Sequence, residues 1–136
     1  MKPSPLNRDE LNRLMTTTSF NATLGFKVVR VWKDGITMEV EVRPELTNIF
    51  GTLHGGVTAT LVDAAAGVAL FGQLGGQRQI TTVELKLNYL NPAGHGKVRA
   101  RSKIVKLGKT LSVITVDVHD AHNRPVATAL VTYMLL

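Results

Sequence analysis

Cysteine is missing from all 136 residues. That excludes disulfides, thiolate metal sites and cysteine nucleophiles together, and it fits a reducing compartment. Aromatic side chains make up only 5% of the chain, and none is interleaved with the cations to stack bases, so nucleic acid is not an expected partner. The longest apolar run, Val57 to Phe71, is interrupted by Thr58, Thr60, Asp63 and Gly67, and it reads as too short and too broken to cross a bilayer. The opening Met1-Lys2-Pro3-Ser4-Pro5 carries no apolar leader core, so the expectation is a cytoplasmic protein with no membrane partner. Acidic residues are also few: 16 Lys+Arg against 10 Asp+Glu give a net charge of +6, a balance that favours an anionic partner without naming one. What remains is 44% apolar and 19% charged, the composition of one globular domain over residues 1–136.

The positive charge is concentrated. No acidic residue occurs between Leu85 and Val116, a span that holds Lys86, Lys97, Arg99, Arg101, Lys103, Lys106 and Lys109. From Lys97 to Lys103 the cations alternate with Val98, Ala100 and Ser102, which on a strand puts four of them on one face. Such a face is either merely solvated or attracts phosphate.

Patterning predicts an α+β chain. Leu6 to Thr17 reads as a short amphipathic helix, with Leu6, Leu11, Leu14 and Met15 on one side. Lys27–Trp32 and Ile36–Val42 read as strands joined by the Asp34-Gly35 turn. A glycine-rich loop, Phe50 to Gly56, leads into a nearly all-apolar helix, Val57 to Phe71, that three glycines end between Gly72 and Gly76. Four strand-like runs follow: Gln79–Leu90, with Val83, Leu85, Leu87 and Tyr89 on one face, then Lys97–Leu107, Thr110–His119 and Val126–Leu135. A helix apolar all round needs cover on most sides. One antiparallel sheet covers one side, so the expected architecture is a long buried helix wrapped by a curved sheet of about six strands and buried further by a second subunit.

Asp63 does not belong in Thr60-Leu61-Val62-Asp63-Ala64-Ala65-Ala66. A carboxylate there either lies on a wet stripe of the helix or does chemistry. The segment before it, Asn48-Ile49-Phe50-Gly51-Thr52-Leu53-His54-Gly55-Gly56, opens the helix with two glycines. They form a tight junction or they leave backbone N–H groups free, at the positive end of the helix dipole, for an oxygen that gains negative charge.

The pattern Asn48, Gly51, His54-Gly55-Gly56 and then Asp63 resembles the hotdog-fold thioesterases of the phenylacetate-pathway (PaaI-like) group, and the order of elements resembles the hotdog domain over nearly the whole chain. The resemblance implies an acyl-CoA thioesterase that uses no metal or organic cofactor. It implies that Asp63 acts on the thioester, as general base for water or as nucleophile. Gly55 would donate its N–H to the thioester oxygen, Asn48 would bind and polarise that carbonyl, and Thr82 stands where relatives have a Ser or Thr that positions water. The resemblance also places His54 and Gly56 in the substrate-binding loop. Coenzyme A carries phosphates for which Lys103, Lys106 and Lys109 are the expected contacts. The resemblance also implies a homodimer or a dimer of dimers.

Spacing supports two subunits. Asp63 follows Gly55 by eight residues, about 12 Å along one helix at ~1.5 Å per residue. An oxyanion donor and a catalytic base must both reach one carbonyl, so the simplest site takes Gly55 from one chain and Asp63 from another. Pocket width is expected to depend on Leu61, Phe71 and Leu74. Two alternatives remain: a hotdog dehydratase or hydratase, and a non-catalytic acyl-CoA-binding module. Asp117, His119, Asp120 and His122 could gather a metal only at a strand end and turn. Gly108-Lys109-Thr110 lacks the first glycine of a P-loop, and Ser19, Ser102 and Ser112 lack a nucleophile-elbow context.

Overall fold

A computed structural model describes residues 3–136; Met1 and Lys2, part of the segment read for a leader, lie outside it. Helix α1 spans Arg8–Thr17. It starts two residues after the expected Leu6 because Asn7 is the cap: its side chain accepts the Glu10 N–H at 2.9 Å, and the Glu10 carboxylate accepts the Asn7 N–H at 3.1 Å. Leu6 instead donates its N–H to the Gly72 carbonyl at 2.9 Å, tying the start of the chain to the end of the central helix. Leu11 and Met15 point into the core, whereas Leu14 stays exposed. A second short helix, α2 (Ser19–Leu24), follows and ends at Gly25 in the left-handed conformation. It was not expected, because six residues are too few to display a helical period.

Strands β1 (Lys27–Trp32) and β2 (Gly35–Glu41) form a hairpin; a 3₁₀ turn at Pro44–Leu46 and a loop lead into α3 (Gly55–Gln73). Strands β3 (Ile80–Tyr89), β4 (Lys97–Leu107), β5 (Leu111–His119) and β6 (Pro125–Leu135) complete the chain. The sheet order is β1-β2-β4-β5-β6-β3, with every neighbouring pair antiparallel. This is the hotdog arrangement: α3 packs against β2 through β6, and β1 and β3 are the edge strands, β1 being met by the Asn12 side chain of α1, which accepts the Val28 N–H and donates to the Val28 carbonyl.

The sequence of α3 explains its two sides. Leu61, Ala65 and Ala69 repeat every fourth residue beside Val62, Ala66 and Leu70, and all six are buried against the sheet. The three alanines let the helix axis approach the strands closely, while the leucines each contribute roughly 1.5–3 kcal/mol by burial. The opposite stripe, with Ala59, Thr60, Asp63, Ala64, Gly67, Val68 and Phe71, is only half-buried. At 19 residues α3 extends two residues beyond the apolar run at each end, and by length and composition alone it reaches a bilayer span, against the expectation that the run was too short. Half of its apolar window is instead buried inside this fold.

Two β-bulges shift the alternation read from sequence. In β3 the register moves between Thr82 and Glu84, so Val83 is the unpaired residue and is 53% exposed rather than sharing a face with Leu85 and Leu87. In β4 it moves between Ile104 and Lys106, which keeps Lys106 on the outer face with Lys103.

Candidate active site

An open cavity of about 910 Å³ lies between α1, α2, the half-buried stripe of α3 and the start of β3. Leu14, Phe20, Val68, Phe71, Ile80 and Leu85 make its wall apolar. Phe71 lines it as expected, but Leu61 is fully buried beneath α3 and Leu74 packs against the core instead. Among the described residues, Asp63 and Tyr133 are the ionisable side chains on its surface.

Asp63 reaches the cavity from the middle of α3. Its Oδ1 accepts hydrogen bonds from the Thr82 hydroxyl at 2.8 Å and from the Tyr133 hydroxyl at 2.7 Å. The Tyr133 oxygen also lies 2.9 Å from the Asp63 main-chain carbonyl. No hydrogen bond to Oδ2 forms among the described residues. The Val83 bulge is what delivers Thr82: it sets Thr82 directly opposite Tyr133, on the face that looks at α3, a place that unbroken alternation gives to Val83. Burial pushes the Tyr133 phenol well above its usual range; the Thr82 hydrogen bond opposes this, and the hydrogen bond and charge of Asp63 add to it. Tyr133 therefore stays protonated at neutral pH and acts as a donor.

Asn48 and Gly55 line a different, smaller cavity of about 300 Å³, with Tyr89. The Tyr89 hydroxyl donates to the Gly55 carbonyl at 2.5 Å, and its ring lies 3.3 Å from where a Cβ on Gly55 would stand. The Gly55 N–H makes no hydrogen bond among the described residues. The neighbouring Gly56 N–H is taken, because His54 caps the helix by accepting it on Nδ1 at 2.8 Å. Asn48 shapes the loop: its Oδ1 accepts the Phe50 N–H at 2.9 Å and the Thr52 N–H at 3.2 Å, and its Nδ2 donates to the Thr52 hydroxyl at 2.9 Å. One chain thus brings Asp63 to Thr82 and Asn48 to Gly55, but it keeps the two pairs in separate cavities.

The cationic stripe divides in two. Lys97 and Arg99 pair with the buried Glu39 at 3.5 and 3.1 Å, and Arg101 pairs with Asp34 at 2.6 Å while lying over the Trp32 ring. The Arg101 hydrogen bond lowers the Asp34 carboxyl below its usual range. Lys103, Lys106 and Lys109 make no ion pair among the described residues; they line neither cavity. Among the described residues no group of three or more His, Asp or Glu is placed to hold a metal. Asp117 accepts from Thr128, and Asp120 is bound by Arg124.

Tyr133, Tyr89 and Gly67 line the two cavities but were not among the site residues expected from sequence. Tyr133 shares the inward alternation of Val131 and Leu135, a signal for burial but not for contact with Asp63.

The sequence model described as "Thioesterase superfamily" matches residues 50–127. The human acyl-coenzyme A thioesterase 13 is 33% identical over 112 residues, 81% of this chain and 79% of that protein. The Escherichia coli medium/long-chain acyl-CoA thioesterase YigI is 26% identical over 131 residues, 85% of this chain and 84% of that one. Among solved structures, a thioesterase from Haemophilus influenzae superposes with a TM-score of 0.91 at 25% identity, covering 100% of this chain and 95% of that one. The zebrafish thioesterase superfamily member 2 gives 0.87 at 27% identity, covering 96% and 99%. The chain belongs to the thioesterase superfamily and has its hotdog fold, and thioester hydrolysis is the chemistry of the class.

Proposed function

We propose that this chain hydrolyses acyl-CoA thioesters to the free acid and coenzyme A. The observation that carries the reading is the carboxylate of Asp63 in an apolar-walled cavity, the one carboxylate there among the described residues, with one oxygen held by two hydroxyls and the other without a hydrogen bond among those residues. As general base, Asp63 takes a proton from a water that adds to the thioester carbon. The C–S bond then breaks, and the thiolate leaves and is protonated. Direct attack by the carboxylate, through a mixed anhydride, uses the same oxygen. The developing oxyanion is received by the Gly55 N–H at the start of α3, with the helix dipole behind it and Asn48 beside it.

The separation of the two cavities supports a site made by two copies, Asp63 and Thr82 from one and Gly55 and Asn48 from the other. So do the open edge of β3 and the apolar side chains left in water near the loop: Ile49 is 93% exposed and Phe50 81%. The homodimer, alone or as a dimer of dimers, is the active unit. Lys103, Lys106 and Lys109, free of ion pairs among the described residues, are the contacts for the coenzyme A phosphates. The test is release of free thiol from a panel of acyl-CoAs. Turnover of at least one chain class is the expected result. Saturable binding without thiol release would make the chain a binding module, and loss of an enoyl-CoA without thiol release would make it a hydratase.

A further inference from the structure

We infer that Tyr133, admitted by Gly67, is the positioning residue that makes Oδ2 of Asp63 the reacting oxygen. The inference rests on the reading of Asp63 above. The terminal torsion of an Asp side chain is broad and nearly two-fold, so a carboxylate on a half-exposed helix stripe can exchange its two oxygens. Here the Tyr133 hydroxyl touches both Oδ1 and the main-chain carbonyl of the same residue, at 2.7 and 2.9 Å. That bridge ties the side chain to its own backbone and fixes which oxygen faces the cavity. Thr82 adds a second donor to the same Oδ1, but from an open edge strand beside a bulge. Tyr133 comes from β6, paired on both sides, and only 6% of it is exposed.

Gly67 lies one turn beyond Asp63 on α3. A Cβ there would stand 2.5 Å from the Tyr133 hydroxyl oxygen and 3.0 Å from Cζ, so any other residue pushes the hydroxyl away. A helix interior disfavours glycine, and the room that Tyr133 needs is the physical reason for this one. Among the described residues no other ionisable side chain lines the cavity, so these two hydroxyls are the polar side-chain contacts of the Asp63 carboxylate there, and Tyr133 holds its proton.

The test compares Tyr133→Phe and Gly67→Ala in the full-length protein, with Asp63→Asn as reference. In Tyr133→Phe, kcat is expected to fall about tenfold, the loss of one charge-assisted hydrogen bond, with KM within about twofold. Gly67→Ala is expected to lower kcat in the same way by displacing the hydroxyl, again with KM little changed, and the double variant to lose little more than Tyr133→Phe alone, since both act on one contact. A purely structural tyrosine would lower the melting temperature and leave the kcat of the folded protein in place. If Tyr133→Phe, or Gly67→Ala should the phenylalanine variant not fold, keeps the wild-type kcat while Asp63→Asn is inactive, the positioning role is wrong and the role of Asp63 stands. If Asp63→Asn itself turns over normally, the reading of the site fails and the positioning role fails with it.

Discussion

Replacing Asp63 by Asn preserves the shape of the side chain and removes its charge, and the hydrogen bonds around it set the size of the effect. The carbonyl oxygen of the amide keeps the place of Oδ1, where the Thr82 and Tyr133 hydroxyls donate at 2.8 and 2.7 Å. The amide nitrogen then takes the place of Oδ2 and faces the cavity, where it can neither remove a proton from water nor attack a carbonyl. A lost general base costs about 10²- to 10⁴-fold in rate, or roughly 3–5.5 kcal/mol of barrier at about 1.4 kcal/mol per decade. Stability changes less. Two hydrogen bonds pass from charged to neutral acceptors, each weakening from about 1.5–3 to about 0.5–1.5 kcal/mol, and solvent at this half-buried stripe returns part of the difference. A net loss of about 1 kcal/mol is expected, a few degrees in melting temperature. Steady-state thiol release gives kcat and KM, and circular dichroism gives the fold. The expected result is a fall in kcat of at least about a hundredfold with KM little changed. A folded variant with near wild-type kcat would refute the chemical role of Asp63.

Two other perturbations address the charged face and the buried phenol. Coenzyme A should inhibit better than its dephospho form, with added salt weakening the inhibition, and Lys106→Glu with Lys109→Glu should raise KM more than it changes kcat; equal inhibition by both forms at low salt would remove these lysines from the site. Because the Tyr133 phenol titrates higher folded than its ordinary value of 10.0, its contribution to stability is complete below about pH 10 and is lost above it, by up to about 1.4 kcal/mol per pH unit as the unfolded chain ionises first. Urea midpoints between about pH 9 and about pH 11.5 should therefore fall more steeply for wild type than for Tyr133→Phe, and parallel curves would contradict that environment.

Period-two and period-four hydrophobicity placed the six strands and the central helix within a few residues, because one face of each is buried and register follows burial. Leu61, Val62, Ala65 and Ala66 are legible in this way. Helix α2 was not, since Ser19–Leu24 is held by its neighbours rather than by a pattern of its own. The bulges were not legible either: nothing in Thr82-Val83-Glu84 distinguishes a bulge from plain alternation, yet that bulge decides whether Thr82 or Val83 faces Asp63. Asp63 stood out as a charge among alanines, and Gly55 as the opening of a helix. Tyr133, 70 residues further on, looked like any other core aromatic, because a sequence displays local periodicity and not the side chain across the sheet. The charged stripe was visible, but its division into paired Lys97, Arg99 and Arg101 and unpaired Lys103, Lys106 and Lys109 depends on Glu39 and Asp34, which lie far away in the chain.

In the proposed site Gly55 and Asp63 serve one thioester from two chains, since about 12 Å of helix separates them within one. Complementation tests it most directly. Asp63→Asn and a Gly55 variant with a bulky side chain are each expected to be nearly inactive alone. After subunit exchange in equal amounts, about half of the dimers are heterodimers, and each of these carries one site with both parts intact and one with neither, so activity should return to roughly a quarter of wild type. No recovery, with exchange verified by mass, would mean that each site is built within a single chain.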